Sequence, residues 1–280
     1  LISLLRLVKV HPLFWLVLGT GVVTGYFKEV IMLFTIVFIH EMGHAWMARK
    51  FDWRLTKIEL LPFGGVAETE EYGNRPVKEE VLVILAGPAQ HLWMVGMSFI
   101  LLPLPWWSAA DHSVFLFHNL TILLFNLLPV KPLDGGKLVF SLQSALMPYR
   151  RAMSVSFCTS LFFLGILTLA ALLILPFHLN LIVVLMFLMV HHYLEWKQRH
   201  FIFMRFLIER REKKNRMPDR IRPVFVAGSE NVAETMKNLR RDCRHVFIQR
   251  ESGESVEETA VIDAYFNKEK QMSPVGALFL

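Results

Sequence analysis

The chain has 280 residues, 54% of them hydrophobic, and a formal net charge of +6. Soluble domains are apolar at about the 45–50% level, so this composition excludes an ordinary soluble enzyme and favours a membrane protein. The two cysteines, Cys158 in an apolar run and Cys243 in a polar tail, exclude a disulfide framework. The basic residues lie beside apolar runs and in the tail, which reads as membrane topology rather than nucleic-acid binding.

The apolar excess is uneven. Long apolar runs continue to about Lys197, and a polar, charged segment follows. Leu1 to Trp15 carries Arg6 and Lys9 without a small-residue cleavage site, so no removable signal peptide is expected. A membrane-spanning helix needs roughly 17–25 apolar residues, which places spans at about 10–27, 30–48, 80–103, 113–131, 155–176 and 179–196. The last two meet at "LPFHLN", read as a tight hairpin turn.

The second span contains "TIVFIHEMGHAWMA". Residues four apart on a helix lie about 40° apart around its axis, so His40 and His44 share a face and can bind one metal ion. Glu41 lies beside them, where it can act as general base on a water at the metal. The bland alternative is a pair of core histidines with an incidental glutamate. Ionisable groups within a span cost roughly 2.5–3.5 kcal/mol each on insertion scales and generally mark function. Metal ligation would offset that cost.

"LPFGGVAETEE" follows, with Pro62, Gly64 and Gly65 set against helix. It is either a loop that returns to the membrane as a hairpin or a surface turn. "LAGPAQH" opens the third span with small residues suited to close helix packing, so Gly87 and Pro88 are read as structural and His91 as packed or interfacial. After the fourth span comes "NLLPVKPLDGG". Catalytic zinc commonly takes three protein ligands and leaves one position open. Asp134 falls at the depth of His44 and can be the third. Pro129 and Pro132 end the helix, and Gly135 and Gly136 are expected to allow a tight non-helical turn that aims the carboxylate back at the histidines. An ordinary Asp-Gly turn is the alternative. His191 and Glu195 in the sixth span share a face, but lack a second histidine there and are read as interfacial.

Orientation follows from the basic residues. Arg6 and Lys9 precede the first span. Arg49, Lys50, Arg54, Lys57, Arg75 and Lys78 lie between the second and third, and Lys131, Lys137, Arg150 and Arg151 between the fourth and fifth. The opposite connections carry Lys28 alone, and Trp106 and Trp107 mark an interfacial belt. The N-terminus and the tail are therefore expected to be cytoplasmic.

"QRHFIFMRFLIERREKKNR" alternates bulky apolar and basic residues, as either a membrane-surface helix or a solvated linker. Beyond it, "PVFVAG" reads as a strand, "NVAETMKNLRR" as a helix capped by Ser229 with Val232, Met236 and Leu239 on one face, "HVFIQR" as a strand, "ESGES" as a turn and "VEETAVIDAYF" as a helix. The expected fold is thus a polytopic α-helical membrane protein with a small C-terminal α/β domain. Its divisions are a membrane domain over 1–197, an amphipathic linker over 198–217 and a tail domain over 218–280.

His40-Glu41-x-x-His44 in one span, with Asn126 through Pro132-Leu133-Asp134-Gly135 after a later one, resembles the site-2 protease family of intramembrane metalloproteases. The resemblance implies that His40, His44 and Asp134 bind zinc, that Glu41 activates water, and that Asn126 and Pro132 line the active site. The loop with Gly64 and Gly65 would take an extended substrate as an added strand. "LLPFGGVAE", "NRPVKEE", "LAGPAQH" and the single-module tail are similar to the sporulation branch of that family. That likeness implies a membrane-associated sigma-factor precursor, pro-sigma-K, as substrate, membrane-protein inhibitors as partners, and the mother-cell membrane around the forespore as location. The tail resembles a cystathionine-beta-synthase (CBS) domain, which implies pairing between chains and an ATP site; a plain interaction domain is the alternative. Rival readings are a site-2 protease acting on an anti-sigma factor, a metal transporter or sensor, and an inactive binding protein. The intact Glu41 argues against the last.

Overall fold

The chain does not enter the membrane helix directly. In the computed structural model, which describes residues 7–10, 12–61, 64–69, 73–173, 179–212, 220–267 and 269–279, a short strand β1 (Val8–Val10) precedes helix α1 (Pro12–Thr24). Proline suits the first helical position because the N–H it lacks would have no intrahelical partner there. Helix α2 (Phe27–Lys50) carries the His-Glu-x-x-His segment. It stops where Asp52 turns left-handed at φ 55°, with Trp53 N–H donating to Ala48 O at 3.0 Å.

The glycine-rich loop is a β-hairpin of β2 (Leu55–Leu61) and β3 (Gly64–Thr69), with Leu60 opposite Gly65 and Leu61 opposite Gly64. β1 joins β2 in parallel, giving the order β1-β2-β3 and leaving β3 at an edge beside α2. Helix α3 (Val77–Leu101) follows, with Pro88 in its interior. Helix α4 (Ala109–Asn126) starts earlier than expected because Ser108 and Asp111 form a reciprocal capping box. It also ends earlier, ahead of Pro129. Helix α5 (Asp134–Leu146) comes next, then α6 (Tyr149–Leu173) and α7 (Leu179–Glu212). The hairpin turn expected at "LPFHLN" falls largely on residues 174–178 which, like Pro62, lie outside the described residues.

Among the described residues, three helices, α2, α3 and α6, are long and apolar enough to cross a membrane. Their 24 or 25 residues give about 36 Å of helix, enough for a hydrocarbon core of about 30 Å. Leu92, Ile100, Phe162, Leu172 and Leu173 point outward on them, large apolar side chains that water would reject and lipid accepts.

Two compact units are distinguished. The first draws on Leu1–Glu71, Lys78–Leu138 and Leu175–Leu185; the second on Tyr72–Val77, Val139–Ile174 and Met186–Leu280. In the second, β4 (Ile221–Val226) pairs in parallel with β5 (Arg244–Gln249), and β6 (Ser255–Glu257) antiparallel with β5. Helix α8 (Val232–Thr235), continued by one 3-10 turn, and α9 (Glu258–Phe266) complete the tail module. The helix expected through "NVAETMKNLRR" is therefore short. It is capped at Asn231 rather than Ser229, and Leu239 is already extended, with its carbonyl accepting from Tyr149 N–H at 2.8 Å. The face was read correctly, since Val232, Met236 and Leu239 are all fully buried. Phe203, Phe206 and Leu207 of α7 are buried in the same core, so the apolar side of this basic helix is covered by the module.

Candidate metal centre

Helix geometry alone brings His40, Glu41 and His44 into little more than one turn of α2, and all three are buried. Gly43 on the same helix lets α3 approach closely, because a Cβ there would lie 2.5 Å from Ala86 O. Gly87 does the same from the other side, since its Cβ would lie 2.2 Å from His44 Nε2. The small residues of "LAGPAQH" thus permit the packing of α3 against the histidine face of α2.

Asp134 arrives from the other wall. The expectation of a non-helical turn around it is corrected: Asp134 is the first residue of α5, and Gly135 and Gly136 lie in the first helical turn. They are needed for close approach. A Cβ on Gly135 would fall 2.2 Å from Leu127 O, and one on Gly136 would fall 2.5 Å from Lys131 N. Pro129 and Pro132 hold the intervening turn, in which Leu133 N–H donates to Val130 O at 2.9 Å. Helix α5 can therefore restart directly under the end of α4, with the buried Asp134 carboxylate at its mouth.

The three side chains converge. Asp134 Oδ2 is 3.0 Å from His40 Nε2 and 3.0 Å from His44 Nε2, and the two Nε2 atoms are 3.1 Å apart. Among the described residues this is the one group of three potential ligands that meets in this way. The other ring nitrogens determine what these atoms are. His44 Nδ1 lies 2.8 Å from Val83 O, a carbonyl that can only accept, so Nδ1 carries the proton. Pro88 cannot donate to the carbonyl four residues back, which interrupts the helical ladder next to Val83. Asn119 Nδ2 donates to His91 O at 3.1 Å, which turns its Oδ1 toward His91 Nδ1 at 2.5 Å. His91 Nδ1 is therefore protonated, its Nε2 accepts, and His40 Nδ1 donates to it at 3.0 Å.

Both histidines thus present bare Nε2 lone pairs to a carboxylate. Three lone-pair donors about 3 Å apart repel unless a cation lies among them. Four-coordinate zinc with ligand atoms at about 2.0–2.1 Å sets those atoms roughly 3.3 Å from one another, close to the triangle seen. Two imidazoles and a carboxylate are a zinc donor set with one position left over. The second carboxylate oxygen, Asp134 Oδ1, accepts from Lys137 Nζ at 3.2 Å, which fixes the carboxylate plane.

Asn126, expected to line the site, donates from Nδ2 to Ile122 O at 3.1 Å within its own helix. Pro132 lies in the turn just before Asp134, after a cis peptide bond. Gly64 and Gly65 open β3 on the hairpin beside α2. Three contributors were missed. Val83, His91 and Asn119 surround the histidines, and Val83, Gly87 and His91 are spaced by four along one face of α3. That spacing repeats the spacing of His40 and His44 and was the available signal.

The fold and this centre define a membrane-embedded metal-dependent hydrolase. The model of Peptidase family M50 matches residues 28–114 and 107–172. Stage IV sporulation protein FB of Bacillus subtilis (strain 168) is 39% identical over 282 residues, covering 100% of this chain and 98% of that protein. A zinc metalloprotease of Methanocaldococcus jannaschii is 29% identical over 131 residues, 45% of this chain and 37% of that protein. Among solved structures, the site-2 protease from Methanocaldococcus jannaschii superposes with a TM-score of 0.51 at 25% identity, covering 67% of this chain and 89% of that one. The chain belongs to peptidase family M50, the site-2 proteases: it is an intramembrane zinc metalloprotease.

Proposed function

We propose that His40, His44 and Asp134 hold the zinc ion and that Glu41 moves the proton in peptide-bond hydrolysis within the membrane. The observation that carries this reading is the meeting of two bare imidazole nitrogens and a carboxylate at 3.0–3.1 Å. Zinc in such a site polarises the scissile carbonyl and acidifies water. Glu41 accepts the proton that water loses on attacking the carbonyl carbon, and returns it to the amide nitrogen as the C–N bond breaks. The buried setting keeps bulk water from the carboxylates and strengthens each charge interaction. An extended substrate segment pairs with the edge of β3, beginning at Gly64 and Gly65, which places it alongside α2. Asn126 and Pro132 line the approach.

The substrate we infer is a membrane-associated sigma-factor precursor, pro-sigma-K, processed during sporulation. The full-length likeness to stage IV sporulation protein FB supports this. The same likeness supports a location in the mother-cell membrane around the forespore and control by membrane-protein inhibitors. In this reading six spans place the N-terminus and tail in the cytoplasm. Residues 1–197 form the membrane domain, 198–217 the amphipathic connection and 218–280 a CBS-like module that pairs chains and takes ATP. An anti-sigma factor is the alternative substrate. Co-expression with each protein, read as product on an immunoblot, separates the two. Pro-sigma-K is expected to be shortened by the wild-type chain and left intact by Glu41→Gln, and an anti-sigma factor cleaved in its place would redirect the assignment.

A further inference from the structure

Three buried polar side chains on three helices form a line that ends on His40. His40 on α2, His91 on α3 and Asn119 on α4 are 3%, 0% and 0% exposed. Apolar residues would fill this depth at lower cost, so packing does not explain the choice. The line also has a direction. The Asn119 amide closes on the backbone of His91 at 3.1 Å, and that bond decides which of its ends faces the ring. Its Oδ1 then requires a proton on His91 Nδ1, and His91 Nε2 requires one on His40 Nδ1. His44 needs no such device, because Val83 O supplies a fixed acceptor from the backbone.

We propose that His91 and Asn119 are positioning residues for the metal centre: they lock His40 in the tautomer and ring orientation that turns Nε2 toward the zinc position. The inference rests on His40 being a zinc ligand. Ligand imidazoles are ordinarily oriented by an acceptor at their second nitrogen, and losing that acceptor weakens metal affinity roughly ten- to a hundred-fold. Here the acceptor is a second imidazole, whose own tautomer is set one step further out by a side-chain amide.

The test is zinc affinity of the purified full-length chain in detergent, by competition with a chromophoric chelator, with the Co2+ ligand-field spectrum of the same samples. His91→Leu and Asn119→Leu remove the acceptors and keep roughly the volume. They are expected to weaken zinc binding by roughly ten-fold or more and to alter the Co2+ bands. His91→Gln keeps an acceptor in place and is expected to restore affinity to within a few-fold of wild type, which a purely volume-filling role would not produce. Leucine variants with wild-type affinity and spectrum would overturn the proposal, as would a glutamine variant as weak as the leucines. His40→Ala separates this from the underlying assignment. If it too binds zinc normally, the ligand assignment fails. If it alone loses zinc, the positioning role fails.

Discussion

A methyl group at position 87 would lie 2.2 Å from His44 Nε2, inside any tolerable contact. Gly87→Ala is therefore expected to push the imidazole out of the ligand triangle, lowering zinc affinity by at least about ten-fold and abolishing cleavage. Zinc content after dialysis, measured beside Gly96→Ala, whose Cβ meets nothing within 4 Å, checks this. His40, Glu41 and His44 were legible because helix periodicity alone sets their relation. Asp134 was legible because its depth follows from where the fourth apolar run ends. The four-residue spacing that carries His91 was visible, but its role and that of Asn119 depend on which helix faces which, and no local pattern encodes that. The same limit applies to Lys137, read only as a topology charge.

At the scale of elements, the glycines after Asp134 were read as allowing a non-helical turn, yet they serve as the spacers that let α5 begin against α4. Glycine's missing Cβ counted here for proximity and not for backbone freedom. The tail helix was overextended because its apolar face continues through Leu239, where the backbone turns extended and the carbonyl accepts from Tyr149 N–H at 2.8 Å. The tail module is joined to α7 by a buried network. Arg210 donates to Glu258 through Nε and to Arg240 O at 2.9 Å, and Glu258 accepts from His245 Nδ1 at 2.9 Å. Burial alone would raise the Glu258 pKa, but the His245 hydrogen bond and the Arg210 charge outweigh it and hold it below the ordinary range. Burial also pushes His245 below its usual value, against the pull of Glu258. In both cases the unfolded chain binds more protons than the folded one at mildly acid pH, so stability falls as pH falls. The loss begins as pH drops through the ordinary histidine range near 6.5 and continues below 4.5, the ordinary glutamate value. Thermal unfolding of the full chain from pH 7.5 to 4 is expected to show this decline, with a flatter profile in Glu258→Gln. Glu258→Ala at neutral pH strands the Arg210 charge and is expected to cost about 3–5 kcal/mol.

On the scale of the whole molecule, composition alone announced the membrane, and the outward leucines and phenylalanines of α2, α3 and α6 make the reason physical. Most of the order of strands and helices in the tail was also legible, since alternation of short apolar strands and amphipathic helices survives without tertiary information, but Ser255–Glu257 form β6 where a turn and the start of the last helix were expected. The burial of Phe203, Phe206 and Leu207 against that module was not, because a basic amphipathic helix can meet lipid or protein with the same pattern. The CBS-like reading predicts that the full chain binds ATP and self-associates. Equilibrium dialysis and light scattering that found a monomer with no ATP affinity would end it. The central claim is that two histidines and one aspartate hold the metal while Glu41 moves the proton. Zinc per chain in purified Glu41→Gln, measured beside Asp134→Asn and paired with a cleavage assay, tests it most directly. Glu41→Gln is expected to retain wild-type zinc and cleave nothing, with Asp134→Asn depleted of zinc. Full cleavage by Glu41→Gln, or undiminished zinc in Asp134→Asn, would contradict the account.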